Sequence, residues 1–369
     1  MRQLFILTLV ASAALLTAAD SVSGPHWDMQ YRYRQTDSTL AFNDIVFPTA
    51  TRGIVCGFTT DRHDKQKPLV LLTSDGGKHW TETPVKETGL SLFFLDDSVG
   101  WMVTEKGVWF TEESGRSWRK LSRAPSGLLR IWFLDRTHGF AAGIEKRVFE
   151  TFDAGETWTL IPIVKEIQTN PTFTTFGEIA FSGLNGIISG WNIPPQAGGP
   201  DWMEPKSAAH RQKPNYTVLL QTKNGGKTWT KSEASIFGQV TRMSLTSQGT
   251  ALGLMEYKDQ FEYPSEVFRI NLRTGGSTTA FRAKDRAITD IRLFDGSNHA
   301  VLAGFETTGA IYHSPIPGKL KILTSNDSEN WQEMTVDYRA VAHRAMIAGP
   351  DPEHLWVATD TGTILNLVQ

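Results

Sequence analysis

The chain has 369 residues, a formal net charge of −2 and a single cysteine. A chain so close to neutral has no overall field that would attract nucleic acid or an anionic membrane, so we expect no nucleic-acid partner. Cys56 alone excludes an internal disulfide and a thiolate metal cluster, and its place in the apolar run Gly53–Gly57 is typical of a small buried core residue.

Residues 1–19 are predicted to be a signal peptide. Arg2 is followed by the apolar run 4–16 and by the small residues 17–19. This run is shorter than the roughly 20 apolar residues of a membrane-spanning helix. We therefore expect an exported protein, periplasmic or secreted, with one domain over residues 20–369 and no transmembrane segment once the signal is removed.

Residues 27–33 come next and are predicted to form a half-buried strand. Trp27, Met29, Tyr31 and Tyr33 alternate with polar residues, as one face of a strand does. The alternative is a disordered arm that follows the signal.

Six short segments then repeat along the chain. We call the five that end in tryptophan the Trp turns: residues 73–80, 111–118, 151–158, 222–229 and 324–331. The sixth segment, 271–278, is eroded and has threonine at its end. In a tight turn an Asp or Asn side chain accepts backbone N–H groups, Gly supplies a positive φ, and the Trp offers an apolar face to a neighbouring unit. The residues predicted to build these turns are Asp75, Gly77, Trp80, Gly115, Trp118, Asp153, Gly155, Trp158, Asn224, Gly226, Trp229, Asn326 and Trp331.

Runs of β-forming residues surround each turn and predict a four-stranded antiparallel unit. Val108–Thr111 and Val148–Thr151, for example, lead directly into a Trp turn. First strands begin near Phe42, Leu90, Leu129, Glu178, Val240, Ile288 and Ala342, which gives seven units. The last unit has three strands of its own, and residues 27–33 would supply its outer strand. The sequence thus predicts an all-β, seven-bladed propeller whose ring is closed by the N-terminal strand.

The turns resemble the Asp-box, or bacterial neuraminidase (BNR), repeat. The units resemble those of propellers related to the photosystem II stability and assembly factor, most clearly in Leu95–Trp101 and Leu134–Phe140. This resemblance implies the fold, but sialidases, other glycoside hydrolases and sortilin-type receptors share the repeat. The sequence lacks the Arg-Ile-Pro element of sialidases, since its nearest stretch is Phe268–Asn271, and one cysteine rules out the Cys-rich module of the receptors.

The connections between second and third strands are predicted to carry the function. Families with this repeat generally keep the turns away from the binding face, and these connections lie on the opposite face. They are long in blade four (192–215), blade five (256–266), blade six (306–319) and blade one (60–68). Long loops in compact domains are usually functional or disordered. The candidate binding residues on this rim of blades four to six are Trp191, Trp202, His210, Arg211, Tyr257, Phe261, Tyr263, Tyr312 and His313.

Aromatic residues and arginine anchor protein partners and also stack on sugars, so two hypotheses remain. The first is an exported, non-catalytic propeller that binds a protein partner through this rim, as an assembly or scaffolding factor. The second is a carbohydrate-active enzyme of the sialidase-like glycoside hydrolase or lyase kind, or a sugar-binding module. Alternatively, the long loops merely cover one another. The sequence suggests no catalytic residue, cofactor or metal site, and it leaves the oligomeric state open.

Overall fold

The chain folds into seven four-stranded antiparallel sheets, as the sequence predicts. The computed structural model describes residues 24–195, 214–257, 262–307, 318–337 and 339–369. The predicted signal peptide and most of the blade-four insertion lie outside them. Two short 3₁₀ helices, Pro162–Glu166 and Pro171–Phe173, precede the fourth blade. Among the described residues, no helix has the length and apolarity needed to cross a membrane.

The strands follow one another around the ring, and the first strand of each blade lines the central channel. The N-terminal strand is β1 (His26–Arg32). Blade 1 contains β2 (Ser38–Val46), β3 (Gly53–Asp61), β4 (Gln66–Thr73) and β5 (Thr81–Thr83). Blade 2 contains β6 (Gly89–Phe94), β7 (Gly100–Thr104), β8 (Gly107–Thr111) and β9 (Arg119–Leu121). Blade 3 contains β10 (Leu128–Phe133), β11 (Gly139–Gly143), β12 (Val148–Thr151) and β13 (Thr159–Leu160).

The later blades have the same order. Blade 4 contains β14 (Thr174–Ser182), β15 (Asn185–Asn192), β16 (Asn215–Thr222) and β17 (Thr230–Ile236). Blade 5 contains β18 (Gly238–Leu245), β19 (Thr250–Tyr257), β20 (Ser265–Asn271) and β21 (Ser277–Arg282). Blade 6 contains β22 (Arg286–Leu293), β23 (Ala300–Glu306), β24 (Leu320–Ser325) and β25 (Gln332–Glu333). Blade 7 contains β26 (Ala345–Asp351), β27 (His354–Thr359) and β28 (Thr363–Val368).

The N-terminal strand closes the ring, which confirms the prediction for this segment. Strand β1 pairs antiparallel with β28, from His26 opposite Val368 to Arg32 opposite Thr363. Trp27 is only 2% exposed and packs in the cluster shared by blades 6 and 7. Because the outer strand of blade 7 comes from the other end of the chain, no blade is left incomplete.

Aromatic side chains fill the seams between blades. Trp101 at the start of β7 stacks on Phe133 of the next blade, with ring centroids 3.6 Å apart. Trp356 stacks on Phe47 at the same distance across the seam between blades 7 and 1. At this distance the two ring faces are in van der Waals contact, so each pair buries a large apolar area in its seam.

The Trp turns are held by a repeated set of hydrogen bonds. In blade 4, Thr222 Oγ1 accepts from the N–H of Gly226 at 2.9 Å and donates to Asn224 Oδ1 at 3.0 Å. The same Asn oxygen accepts from the N–H of Thr228 at 2.9 Å. Gly226 has φ +88°, and a Cβ there would lie 2.3 Å from the Phe140 ring of blade 3. The turn therefore packs directly against the preceding blade, as the sequence suggested.

Two turns differ from their predicted register. In blade 6, Ser325 donates to Asp327 at 2.9 Å, and Asp327 accepts the next backbone N–H groups, while the predicted Asn326 contacts His299 instead. This turn is one residue shorter than the other four Trp turns, so its hydrogen-bonding pattern starts at Ser325 rather than at Thr324. In blade 5 the turn is shorter still, because Ile270 pairs with Ser277, so the outer strand starts before Thr278, the predicted end of the turn.

Connectivity assigns the loops to two faces of the ring. Because each blade is an antiparallel meander, the second-to-third connections and the starts of the inner strands share one face, which we call the loop face. The Trp turns and the ends of the inner strands share the other, the turn face. The strand ends that flank the long insertions and the strand ends that flank the Trp turns thus lie on opposite faces.

Candidate binding site at the channel mouth

Each inner strand of blades 1 to 6 carries one extra residue near its start, and these residues surround the channel on the loop face. The pairing between first and second strands slips by one position, as between Phe42 and Asp44. Such a bulge redirects the side chains that follow it. We call the resulting cavity of about 400 Å³ the channel mouth. It is lined by the bulge residues Asn43, Leu90, Leu129, Gly177, Thr241 and Thr289, together with Arg130, Trp191, Arg242, Glu256 and Arg344.

Deeper in the channel, five charged side chains form a chain of ion pairs. We call Asp44, Arg130, Glu178, Arg242 and Asp290 the charge belt. Arg130 Nη1 lies 3.2 Å from Asp44 Oδ2, and its Nε lies 3.5 Å from Glu178 Oε2. Arg242 Nη1 lies 3.5 Å from the same Glu178 oxygen, and its Nε lies 3.4 Å from Asp290 Oδ1. A second cavity, of about 600 Å³, opens beyond the belt on the turn face.

The belt carboxylates also join neighbouring blades. Asp44 Oδ2 accepts from the N–H of Leu92 in blade 2 at 2.9 Å, and Asp290 Oδ2 accepts from the N–H of Ile347 in blade 7 at 2.7 Å. Burial raises the pKa of Glu178, and the charges of Arg242 and Arg130 partly offset this rise. A buried carboxylate needs such partners, because an unpaired buried charge is strongly destabilising. The belt is therefore primarily a structural element.

Arg344 differs from the two belt arginines. It precedes β26, is half-buried, and lines the channel mouth. Among the described residues, no carboxylate lies within 4.0 Å of its guanidinium. Burial and the positive charges of Arg242 and Arg130 lower the pKa of Arg344 to about 10. It remains protonated at neutral pH, so the mouth presents a cation that an incoming anion would stabilise.

Trp191 and Glu256 complete the mouth. Trp191, near the end of β15, covers Gly177, where a Cβ would lie 2.4 Å from the indole ring. A larger residue at 177 would displace this indole. Burial raises the pKa of Glu256, and the charges of Arg242 and Arg344 counteract the rise. The mouth thus combines an aromatic surface, cationic groups and one carboxyl group.

Two other predicted rim residues lie in a separate cluster on blade 5. Tyr257 Oη donates to Glu266 Oε2 at 2.6 Å. Burial, together with this hydrogen bond, raises the pKa of Tyr257. The guanidinium of Arg282 lies 5.0 Å from the centre of the Tyr263 ring. Both tyrosines line a cavity of about 530 Å³ beside β17, and neither lines the channel mouth.

The remaining rim residues, Trp202, His210, Arg211, Phe261, Tyr312 and His313, lie outside the described residues. Of the nine candidates, the structure therefore locates three. Trp191 lies at the channel mouth, and Tyr257 and Tyr263 lie together on blade 5.

The charged channel residues were not among the candidates predicted from the sequence. A signal was present, because Arg130, Arg242 and Asp290 each interrupt an apolar inner strand at the same position relative to its bulge. A charge at one repeated position inside otherwise apolar strands indicates a shared polar channel. Across the described ranges, no group of three or more His, Cys, Asp or Glu side chains could hold a metal ion.

Solved structures share this fold, although neither a protein-family model nor a curated protein matches the sequence. YCF48 bound to D1 peptide superposes with a TM-score of 0.59 at 15% identity, over 93% of this chain and 97% of that chain. YCF48 from Cyanidioschyzon merolae superposes with a TM-score of 0.58 at 15% identity, over 92% of this chain and 98% of that chain. An ancestral GH74 enzyme superposes with a TM-score of 0.58 at 11% identity, over 91% of this chain and 46% of that chain.

These likenesses establish the architecture. The chain spans nearly the full length of the YCF48 structures and about half of the GH74 enzyme. At 15% identity or less they show the seven-bladed fold alone. One of these propellers was solved with a bound peptide, and another is a glycoside hydrolase-type enzyme. The fold therefore does not distinguish a protein-binding function from a carbohydrate-active one, and only the residues of the site can.

Proposed function

We propose that this protein is an exported, non-catalytic propeller that binds a protein partner on its loop face, as an assembly or scaffolding factor. The contact surface would be the channel mouth and the adjoining rim of blades four to six. The observation that carries this proposal is the half-buried Arg344, which has no carboxylate partner among the described residues and lies beside Trp191 in an open cavity.

The chemistry of the mouth favours recognition over catalysis. Arginine and tryptophan are the side chains that most often anchor protein partners. The charge belt carboxylates are already engaged by two arginines, which leaves them poorly placed to transfer protons to a substrate. The solved YCF48 structure with a bound peptide supports the same kind of function for this fold.

A carbohydrate-active function is the second candidate, and Glu256 favours it. Its raised pKa and its position in a cavity with an aromatic wall are features of a general acid beside a sugar. A glycosidase needs a second carboxylate about 5 to 9.5 Å away across the scissile bond. The ancestral GH74 enzyme has the same propeller architecture.

Affinity capture from the native source separates the candidates. The wild-type chain and an Arg116→Gln control, which changes an exposed arginine on the turn face, should retain the same partner. Arg344→Gln and a deletion of residues 196–212 should lose it. Equal capture by all four proteins would refute the site. Turnover of a glycoside that disappears in Glu256→Gln would instead establish the second candidate.

Export is a separate part of the proposal. Fractionation of the source cells should place the mature chain in the periplasm or the medium, with an N-terminus near residue 20. A cytoplasmic chain that retains residues 1–19 would contradict it.

A further inference from the structure

Tryptophan occupies six of the seven seams between blades. Trp80, Trp118, Trp158, Trp229 and Trp331 come from the Trp turns, and Trp27 comes from β1. In the part of the chain that the structure describes, the seam between blades 4 and 5 has none. Its cluster consists of smaller side chains such as Ala180, Ile187 and Met243.

The cause is the short turn of blade 5. In the Trp turns, the tryptophan directly precedes the first paired residue of the outer strand, as Trp229 precedes Thr230 and Trp331 precedes Gln332. In blade 5 the first paired residue is already Ser277, and Thr278, which ends the sixth segment, pairs with Arg269 inside the outer strand. The strand has replaced the end of the turn, so Ser277 and not a tryptophan faces the seam with blade 4.

The missing side chain leaves an apolar cleft of about 240 Å³ between the two blades. Leu219, Val240, Met255, Phe268 and Ile270 are among the residues that line it. An apolar cavity of about 150 Å³ in a protein core is large enough to bind benzene. The larger cleft therefore has room for a bicyclic indole.

One polar atom in this apolar lining lacks a partner. Thr217 is 4% exposed, and its Oγ1 makes no hydrogen bond to any described residue. Buried hydroxyl groups are nearly always hydrogen-bonded, and leaving one unpaired is costly. A ligand with a single N–H donor on an apolar body would satisfy it.

The cleft is reached from the rim. It shares Ile236, Met255 and Phe268 with the cavity of about 530 Å³ that Tyr257 and Tyr263 line. The two cavities are therefore adjacent, so a segment bound on the rim of blades four and five would lie next to the cleft.

We propose that the cleft between blades 4 and 5 binds the indole side chain of a tryptophan on the partner protein. This indole takes the place that a Trp-turn tryptophan fills at the other seams, and its N–H donates to Thr217 Oγ1. The inference rests on the proposed function and specifies the partner's chemistry. It predicts a partner with an exposed tryptophan in an extended segment.

The test is a titration of the full-length chain with N-acetyl-tryptophanamide, followed by ligand-observed NMR. We expect saturable binding that is weaker for N-acetyl-leucinamide. Ser277 lines the cleft, so Ser277→Trp places an indole there from within the chain and should lower the affinity at least about tenfold. Lys227→Trp, which adds an exposed tryptophan to the blade-4 turn, should leave the affinity unchanged. Thr217→Val removes the hydroxyl and should lower the affinity about threefold to tenfold, the value of one hydrogen bond.

Several results would overturn the inference. They are no saturable binding to the wild type, equal affinity in Ser277→Trp and wild type, or binding that appears only in Trp202→Ala, which would show that the chain fills its own cleft. Equal capture of the partner by wild type and by Ser277→Trp would also overturn it and would leave the proposed function intact. If Arg344→Gln captures the partner as well as wild type does, the partner does not bind at the channel mouth and the proposed function is refuted. The titration with N-acetyl-tryptophanamide still shows whether the cleft binds an indole.

Discussion

Replacing Trp27 by alanine should destabilise the whole propeller, because this residue links the closing strand to the seam between blades 6 and 7. The indole is 2% exposed, and its Nε1 donates to Met334 Sδ at 3.3 Å. Truncation of a fully buried large aromatic residue costs about 3–5 kcal/mol. We expect the free energy of unfolding to fall by that amount.

Urea denaturation followed by both fluorescence and far-UV circular dichroism measures the effect. If the ring is one cooperative unit, the two transitions of Trp27→Ala should coincide and move together to lower urea. The matched control is Asp28→Ala in the same strand, whose side chain is 64% exposed and lies 3.4 Å from His26. An exposed pair contributes about 0–1 kcal/mol, so this variant should unfold near the wild-type midpoint.

A Trp27→Ala protein with the wild-type midpoint would refute the reasoning, since closure would then contribute little. Two separate transitions would refute it differently, because they would show that blade 7 unfolds without the rest of the ring.

Three further predictions test the channel, the turns and the response to pH. Arg130→Met removes the cation that Asp44 and Glu178 share, so the free energy of unfolding measured by chemical denaturation should fall by about 3–5 kcal/mol. An unchanged free energy of unfolding would show that these ion pairs do not stabilise the charge belt. Thr222→Val leaves the buried N–H of Gly226 unpaired and should cost about 1–3 kcal/mol, a loss that Thr222→Ser should largely restore. Burial raises the pKa of Glu87, but hydrogen bonds from Lys120 and two further donors outweigh it and lower the pKa to about 2. Because the folded-state pKa lies below the unfolded-state pKa, the stability from Glu87 is present above about pH 4.5 and is lost as the pH falls toward about 2. The difference in unfolding free energy between wild type and Glu87→Gln should therefore disappear between about pH 4.5 and about pH 2. A difference that does not change with pH would contradict this prediction.

The architecture was accessible from the sequence because its signals are local and repeated. A Trp turn such as 222–229 contains its own hydrogen-bonding partners, so each copy marks a blade without reference to the rest of the chain. The alternation around Trp27 likewise identified a strand, and the count of strands in blade 7 identified its partner.

The site was less accessible because it depends on how the blades are arranged around the axis. Arg130 belongs to blade 3 and Arg242 to blade 5, and only the packing of both blades against blade 4 brings the two side chains within reach of Glu178. Trp191 and Tyr257 were grouped because their loops are adjacent in the ring, yet the structure assigns them to separate cavities. The register of the eroded turn was also misjudged, because Thr278, its predicted last residue, already pairs within the outer strand.

The pairing of β1 with β28 also fixes the order in which the protein can be completed. His26 and Val368 lie far apart in sequence, so this ladder has the largest loop-closure cost in the described fold. Strand β1 leaves the ribosome first but has no partner until the last strand has been made. Blade 7 therefore cannot be completed before β28 has been made, and until then the edge of the array stays unpaired.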